Sequence, residues 1–215
     1  MAEKKEEKIE LKDIVVKSTQ ITIVGDSPLL MRRFSEKAKQ QLLDLQTKKA
    51  KSAKEPRDPW KDMIDGLNWL TPMPAENEKD EDGFNKALKN GAKFGFPAVG
   101  LKQSAISAAY RAGLSKNKVE LQGIFHIPDE FIEIEGIPEM REDYVKIPKT
   151  GAADLAFRGE FKQWKSTFTI NYIEGIYSLE QIINFINLGG FTVGIGEWRP
   201  EKGGSFGRFH VVSQQ

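Results

Sequence analysis

The chain has no cysteine. Disulfides, thiolate metal sites and a thiol nucleophile are thereby excluded. Histidine is nearly absent as well: His126 and His210 are the only two. Two isolated imidazoles make no metal site without partners at ligand spacing, and no metal or other cofactor is expected. No apolar run reaches the ~18 residues that span a bilayer, so no membrane partner is expected either. The opening stretch MAEKKEEKIELKD lacks the apolar segment of a secretory signal. These absences point to a soluble, cytoplasmic protein. An excess of either charge is missing too, with 32 basic residues against 31 acidic ones and a net charge of +1.

That balance hides segregation. From Arg32 to Lys61 there are ten basic and four acidic residues, a local charge of +6. From Glu76 to Asp82 five acids surround Lys79, and from Asp129 to Asp143 seven acids surround Arg141. Grouped charges create fields of local sign even when the sum is near zero. The basic run suits either a phosphate-contacting surface through Arg32, Arg33, Lys48, Lys49 and Lys51 or a helix face kept soluble by lysine. The acidic runs read as exposed loops.

At 215 residues the chain can bury roughly 70% of its unfolded surface, enough for one domain without staples. Residues 1–13 read as a charged leader and 14–215 as a single domain with an insertion at about 55–95. Ile14 to Gly25 is β-branched, with Ile21 and Ile23 on one face, and predicts a strand. DSPLLMRRFS predicts a turn around Pro28. Ser35 predicts the N-cap of a helix running to about Lys54, with Ala38, Leu42 and Leu45 as a thin apolar stripe. Glu55 to Gly83 carries four prolines and predicts a long loop with one amphipathic piece near Trp60 to Leu67. Phe96 to Gly113 predicts a helix whose apolar face is Leu101, Ala105, Ile106, Ala108, Ala109 and Ala112, with Gln103, Ser104, Ser107 and Arg111 opposite and Gly113 as its stop. Residues 119–127, 131–136, 143–148 and 166–173 alternate and predict strands. Ser178 and Gln181 form a capping box ahead of a stripe of Leu179, Ile182, Ile183 and Ile186, and Gly189 and Gly190 predict the end of that helix. FGRFHVV predicts a last strand. The order describes an α+β protein, a ferredoxin-like (RRM-like) βαββαβ core with extra strands and a long helical or irregular insertion.

The segment GGFTVGIGEWRPEKGGSFGRFHVV is the unusual part. Seven glycines lie between Gly189 and Gly207, a composition that does not predict hydrophobic core. It is not a phosphate loop, because Lys202 precedes the glycines and a strand follows. Nor is it a dinucleotide fingerprint, because Arg199 stands at the third glycine position. Glycine lets a ligand approach the backbone. Arg199, Lys202 and Arg208 suit a phosphate chain, and Trp198 and Phe206 offer stacking surfaces for unpaired bases.

The helix followed by GIGEWRPEKGGSFGRFHV resembles the glycine-rich loop and last strand of the RAMP superfamily, RRM-like proteins of CRISPR effector complexes. FPAVGLKQSAISAAYRAG is similar to that family's proline-containing, lysine-bearing helix, and GDSPLLM to its opening strand and turn. Small tailed-phage proteins share the three segments, which cover about a third of the chain. The resemblance implies binding along single-stranded RNA, often with lateral self-assembly, and would set Lys102, Arg199, Lys202, Gly203, Gly204 and Arg208 beside the strand. Glu197 and Glu201 depart from a simple phosphate cradle. The family's RNA-cutting members commonly carry a histidine near the first helix, and this chain has none before His126.

The expectation is therefore a non-enzymatic, phage-derived protein of the bacterial cytoplasm that binds single-stranded RNA or DNA, alone or as a homo-oligomer or filament. Its candidate contacts are Arg32, Arg33, Lys102, Arg111, Trp198, Arg199, Lys202, Gly203, Gly204, Phe206 and Arg208. Two alternatives stand beside it. One is a protein-interaction module that imitates a CRISPR backbone subunit and blocks host defence. The other is a metal-independent endoribonuclease using His126 or His210.

Overall fold

The computed structural model describes residues 14–34, 36–47, 57–146, 151 and 153–212. The expected cap at Ser35 and the lysines at 48, 49 and 51 lie outside them. Among the described residues the chain is mixed α and β, with three small antiparallel sheets.

The first sheet has the order β7-β1-β8. Strand β1 is Val16–Gly25, β7 is Lys165–Ile173 and β8 is Phe209–Val212. Ile21 lies opposite Phe168, and Thr19 opposite Ile170. One face of this sheet buries Ile21, Ile23, Phe168, Ile170 and Phe209. On the other face Thr22 and Thr167, also directly opposed, share a 2.9 Å hydrogen bond. The alternation read from the sequence is the alternation in the sheet.

Two helices belong with this sheet, α4 (Ala98–Arg111) and α6 (Leu179–Thr192), and they pack against each other. The capping box forms as expected: Gln181 N–H donates to Ser178 Oγ, and Ser178 N–H to Gln181 Oε1. The helix does not stop at the glycines, however. Gly189 and Gly190 are buried inside α6, which continues to Thr192. A Cβ on Gly189 would lie 2.7 Å from the Ala105 nitrogen of α4, and one on Gly190 2.0 Å from the Phe209 carbonyl of β8. These glycines are a contact surface, so helix and strand close on both sides of one turn. Val193, Ile195 and Phe209 are buried as well, so part of the glycine-rich segment is core after all. The same contact shifts the buried face of α4 by a residue. Ser104, assigned to the polar face, is buried with its backbone against Gly189, while Ala112 is exposed.

The second sheet has the order β2-β6-β5, with β2 Leu29–Met31, β5 Pro138–Lys146 and β6 Ala153–Phe161. The expected turn at DSPLLM thus contains a short strand, all three residues of which are buried. The third sheet pairs β3, Phe94–Pro97, with β4, Phe131–Ile134.

Helix α1 is Glu36–Gln46; of its expected stripe, Leu42 is about half exposed (48%), and the side chains of Ala38 and Leu45 lie outside the described ones. Helix α2, Pro59–Gly66, is the amphipathic piece foreseen in the expected loop. Asp58 caps it by accepting from the Trp60 and Lys61 amides, and Pro59 opens it. Met63, Ile64 and Leu67 are fully buried, so this part of the insertion is built into the core. It joins an aromatic cluster in which Phe84 of α3 (Glu81–Lys89) and Phe94 meet Trp60, Trp69 and Phe161 at centroid distances of 4.8–6.4 Å. The acidic run is consumed locally. Asp80 caps α3, and Glu76 pairs with Lys79 and with Lys61 of the basic run. Lys61 first, then Lys79, hold the Glu76 carboxyl at about 2, well below its ordinary range.

One expected strand is a helix. Residues Lys118–Gln122 form α5, with Asn117 Oδ1 accepting from the Val119 amide at its start and Gly123 at its end. Val119 and Leu121 look like strand alternation, but a cap and a stop with five residues between them close a single helical turn instead. Beyond α5 the chain makes an isolated bridge, in which His126 exchanges backbone hydrogen bonds of 2.8 and 2.7 Å with Asn171 of β7.

Candidate functional site

The site begins with strand register. In the β5–β6 hairpin Arg141 lies directly opposite Arg158. Like charges facing each other across a ladder are destabilising unless counter-charged. Here the counter-charge is Asp143, which accepts from Arg141 Nε through one oxygen and from Arg158 Nη1 through the other, both at 2.9 Å. Arg141 also donates to Glu160 at 3.0 Å, and Arg158 Nε donates to Glu197. Asp143 and Arg158 are buried, at 7% and 4% exposure. The acidic stretch ending at Asp143 is therefore not an exposed loop. It runs through β4 into the edge strand β5, where the carboxylate of Asp143 holds two guanidiniums.

The loop after α6 lies over this charged face. It is stitched to β2 and the turn before it: Glu197 N–H donates to the Leu30 carbonyl, Gly207 N–H to that of Pro28, and Asp26 N–H to that of Arg208. Trp198 and Phe206, whose ring centroids are 6.2 Å apart, meet the arginines. The Arg158 guanidinium is 4.9 Å from the Trp198 centroid, and that of Arg141 is 4.8 Å from the Phe206 centroid. Such contacts are cation–π interactions worth about 0.5–2 kcal/mol each. Trp198 keeps 36% of its surface exposed. It is also the only non-glycine residue at positive φ, 52°, among the described residues. A bulky side chain there stores roughly 1–3 kcal/mol of strain, and strain of this kind clusters at functional sites.

The sequence-derived contacts divide into groups. Trp198, Phe206, Lys202, Gly203 and Gly204 share the loop. Lys202 is exposed and makes no side-chain hydrogen bond or ion pair among the described residues. It ends a short 3-10 turn, Pro200–Lys202, and Gly203 beyond it turns left-handed at φ 79° with open space around it. Gly204 sits against the Trp198 carbonyl. Arg199 is engaged inside the loop, donating to the Gly196 carbonyl and twice to Glu201. Glu201 also accepts from Arg111 at 2.6 Å, so the end of α4 is tied to the loop. Arg199 chiefly, with help from Arg111 and against the opposing effect of burial, holds the Glu201 carboxyl below its ordinary range. Arg208 anchors the loop through its backbone, and its Nε is buried without a hydrogen-bond partner.

Three residues lie elsewhere. Lys102 is nine residues before Arg111 on the same helix, about 13 Å along its axis. Its Nζ is 3.3 Å from His126 Nδ1, and burial pushes its ammonium below the usual range. Arg32 and Arg33 leave β2 where Met31 faces Gly159, the neighbour of Arg158. Arg33 N–H donates to the Gly66 carbonyl, and neither side chain is paired among the described residues.

Arg141 and Arg158 are the site residues that sequence reasoning missed. The available signal was Arg158 alternating with Phe157 and Phe161, which places it on the face away from the core. The two histidines lie on opposite sides of β1, His126 beside β7 and His210 on β8. His210 Nδ1 is 2.7 Å from Asp26. Among the described residues no group of three or more histidine or acidic side chains is placed to hold a metal ion, and no helix is long and apolar enough to cross a membrane. No protein-family model matches the chain, and no curated protein matches it.

Proposed function

We propose that the chain is a non-enzymatic single-stranded nucleic-acid-binding protein that coats or presents a strand. The observation that carries this reading is Trp198: an aromatic ring held at the surface in a left-handed backbone, backed by Arg158 and flanked by Phe206. Unpaired bases stack on such rings at about 1–3 kcal/mol each, largely irrespective of sequence. Lys202 at the loop tip is free to meet a phosphate, and Arg32 and Arg33, which follow β2 with side chains unpaired among the described residues, offer further phosphate contacts.

The architecture supports a ferredoxin-like core within the larger fold. The order β8-β1-β7, with the His126 bridge next to β7 and every pairing antiparallel, is the order of a split βαβ unit carrying α4 and α6. It accords with a RAMP-like protein acting in the bacterial cytoplasm, with self-assembly along the strand as the corresponding mode of action. A protein-interaction module is the second reading. It is favoured by Tyr144 and Leu155, paired across the β5–β6 hairpin and exposed at 61% and 42%. A mobility-shift titration with matched RNA, single-stranded DNA and duplex probes at two salt concentrations separates the readings. Binding to unpaired strands that weakens with salt supports the first. No shift with any probe overturns it and leaves the second.

A further inference from the structure

The three carboxylates around the arginine pair are not equivalent. Asp143 and Glu160 belong to the sheet, with side chains 7% and 13% exposed. Glu197 belongs to the loop and is 34% exposed. It is also superfluous in charge, since two guanidiniums would already be matched by Asp143 and Glu160. Yet Glu197 closes the Nε edge of Arg158, directly before the residue whose backbone is strained.

Resting on the nucleic-acid reading above, we propose that Glu197 occupies the seat of a backbone phosphate. The bound strand puts one phosphate on the Arg158 Nε edge, with the adjoining base on Trp198. Glu197 withdraws toward solvent as this happens. A phosphodiester and a carboxylate carry the same unit charge and both offer paired oxygens to a guanidinium, so the exchange leaves the charge of the cluster unchanged. Arg158 stays anchored by Asp143 throughout.

The test is Glu197→Gln, assayed by titration of a short labelled single-stranded oligonucleotide at several salt concentrations. Weakening the internal competitor should raise affinity about tenfold, the worth of roughly one charge-assisted hydrogen bond. The salt slope should steepen by about 0.7, because in the parent the counterion released from the phosphate is offset by the one that the freed Glu197 takes up, and in the variant it is not. Glu174→Gln adds the same charge at the far end of β1 and β7, where Glu174 N–H meets the Val15 carbonyl, and should give neither change. Should Glu197→Gln fail to fold, Glu197→Asp, whose shorter side chain retreats from Arg158 without altering net charge, should also bind more tightly than the parent. Equal or weaker binding by the folded variant, or an equal gain from Glu174→Gln, overturns the proposal while parental binding keeps the nucleic-acid reading intact. Absence of binding by parent and variant alike overturns both.

Discussion

The glycine-rich segment consists of two regions that share a composition and little else. Its first part, from Gly189 to Ile195, is helix end and core, where missing side chains let α6 touch α4 and β8. Its second part, from Gly196 to Arg208, is a surface loop in which glycine turns the chain and aromatic rings cover a charged sheet face. Glycine count alone cannot tell close packing from a ligand cradle. What separates the two is the partner across the gap: backbone of α4 and β8 for Gly189 and Gly190, but β2 and the loop's own carbonyls for Gly196, Gly204 and Gly207, with Gly203 left facing open space.

The sharpest way to break that distinction is Gly190→Ala. The added methyl would sit 2.0 Å from the Phe209 carbonyl, and fixed backbone cannot yield cheaply. A loss of about 3 kcal/mol, the upper part of the usual overpacking range, is expected in denaturant unfolding. A variant as stable as the parent would show that the first region is not packed as described. Trp198→Ala should behave in the opposite way. Unfolding free energy should fall by only about 1–2 kcal/mol, chiefly the lost cation–π and ring contacts, since alanine keeps the Cβ and with it the left-handed strain. Strand affinity should fall by about 1–3 kcal/mol if a base stacks on the ring. A stability loss near the ~3–5 kcal/mol of a core tryptophan would move Trp198 into the first region. Lys202→Ala should leave stability untouched and lower the salt slope by about 0.7, read by the same titration.

The smallest effect concerns acid. The Glu201 carboxyl titrates below its unfolded value of 4.5. The stability it contributes is therefore present above that value and is lost as pH falls through the lower folded one. Glu201→Gln should remove this part of the acid sensitivity while Gly190→Ala leaves it in place. Superimposable acid-unfolding curves for parent and Glu201→Gln would mean that the Arg199–Glu201–Arg111 link does not hold the loop.

Local signals were legible in the sequence, and pairings between distant segments were not. Alternation in β1 and β7, the Ser178–Gln181 box and the Gly113 stop each lie within a few residues, and the structure has all of them. Helix α5 was obscured because two alternating apolar residues fit a strand as well as one helical turn. The end of α6 was misplaced because Gly189 and Gly190 answer to Ala105 and Phe209, more than eighty and nearly twenty residues away in sequence. The loop aromatics were evident from composition, and Glu197 and Glu201 stood out as acids in a basic setting. The arginines beneath them were not evident, since only the β5–β6 register brings Arg141 and Arg158 together.

The stitching of the loop to Asp26, Pro28 and Leu30 also has a kinetic consequence. Residues near the start of the chain must wait for residues 197–208 before their backbone groups are satisfied. β1 likewise lacks one neighbour until residue 209 has been made. During synthesis the β5–β6 hairpin, with its facing arginine pair, is complete well before the loop that covers it emerges from the ribosome. The charged face is thus wet and accessible in the nascent protein, and the surface that stacks on it is among the last parts to be assembled.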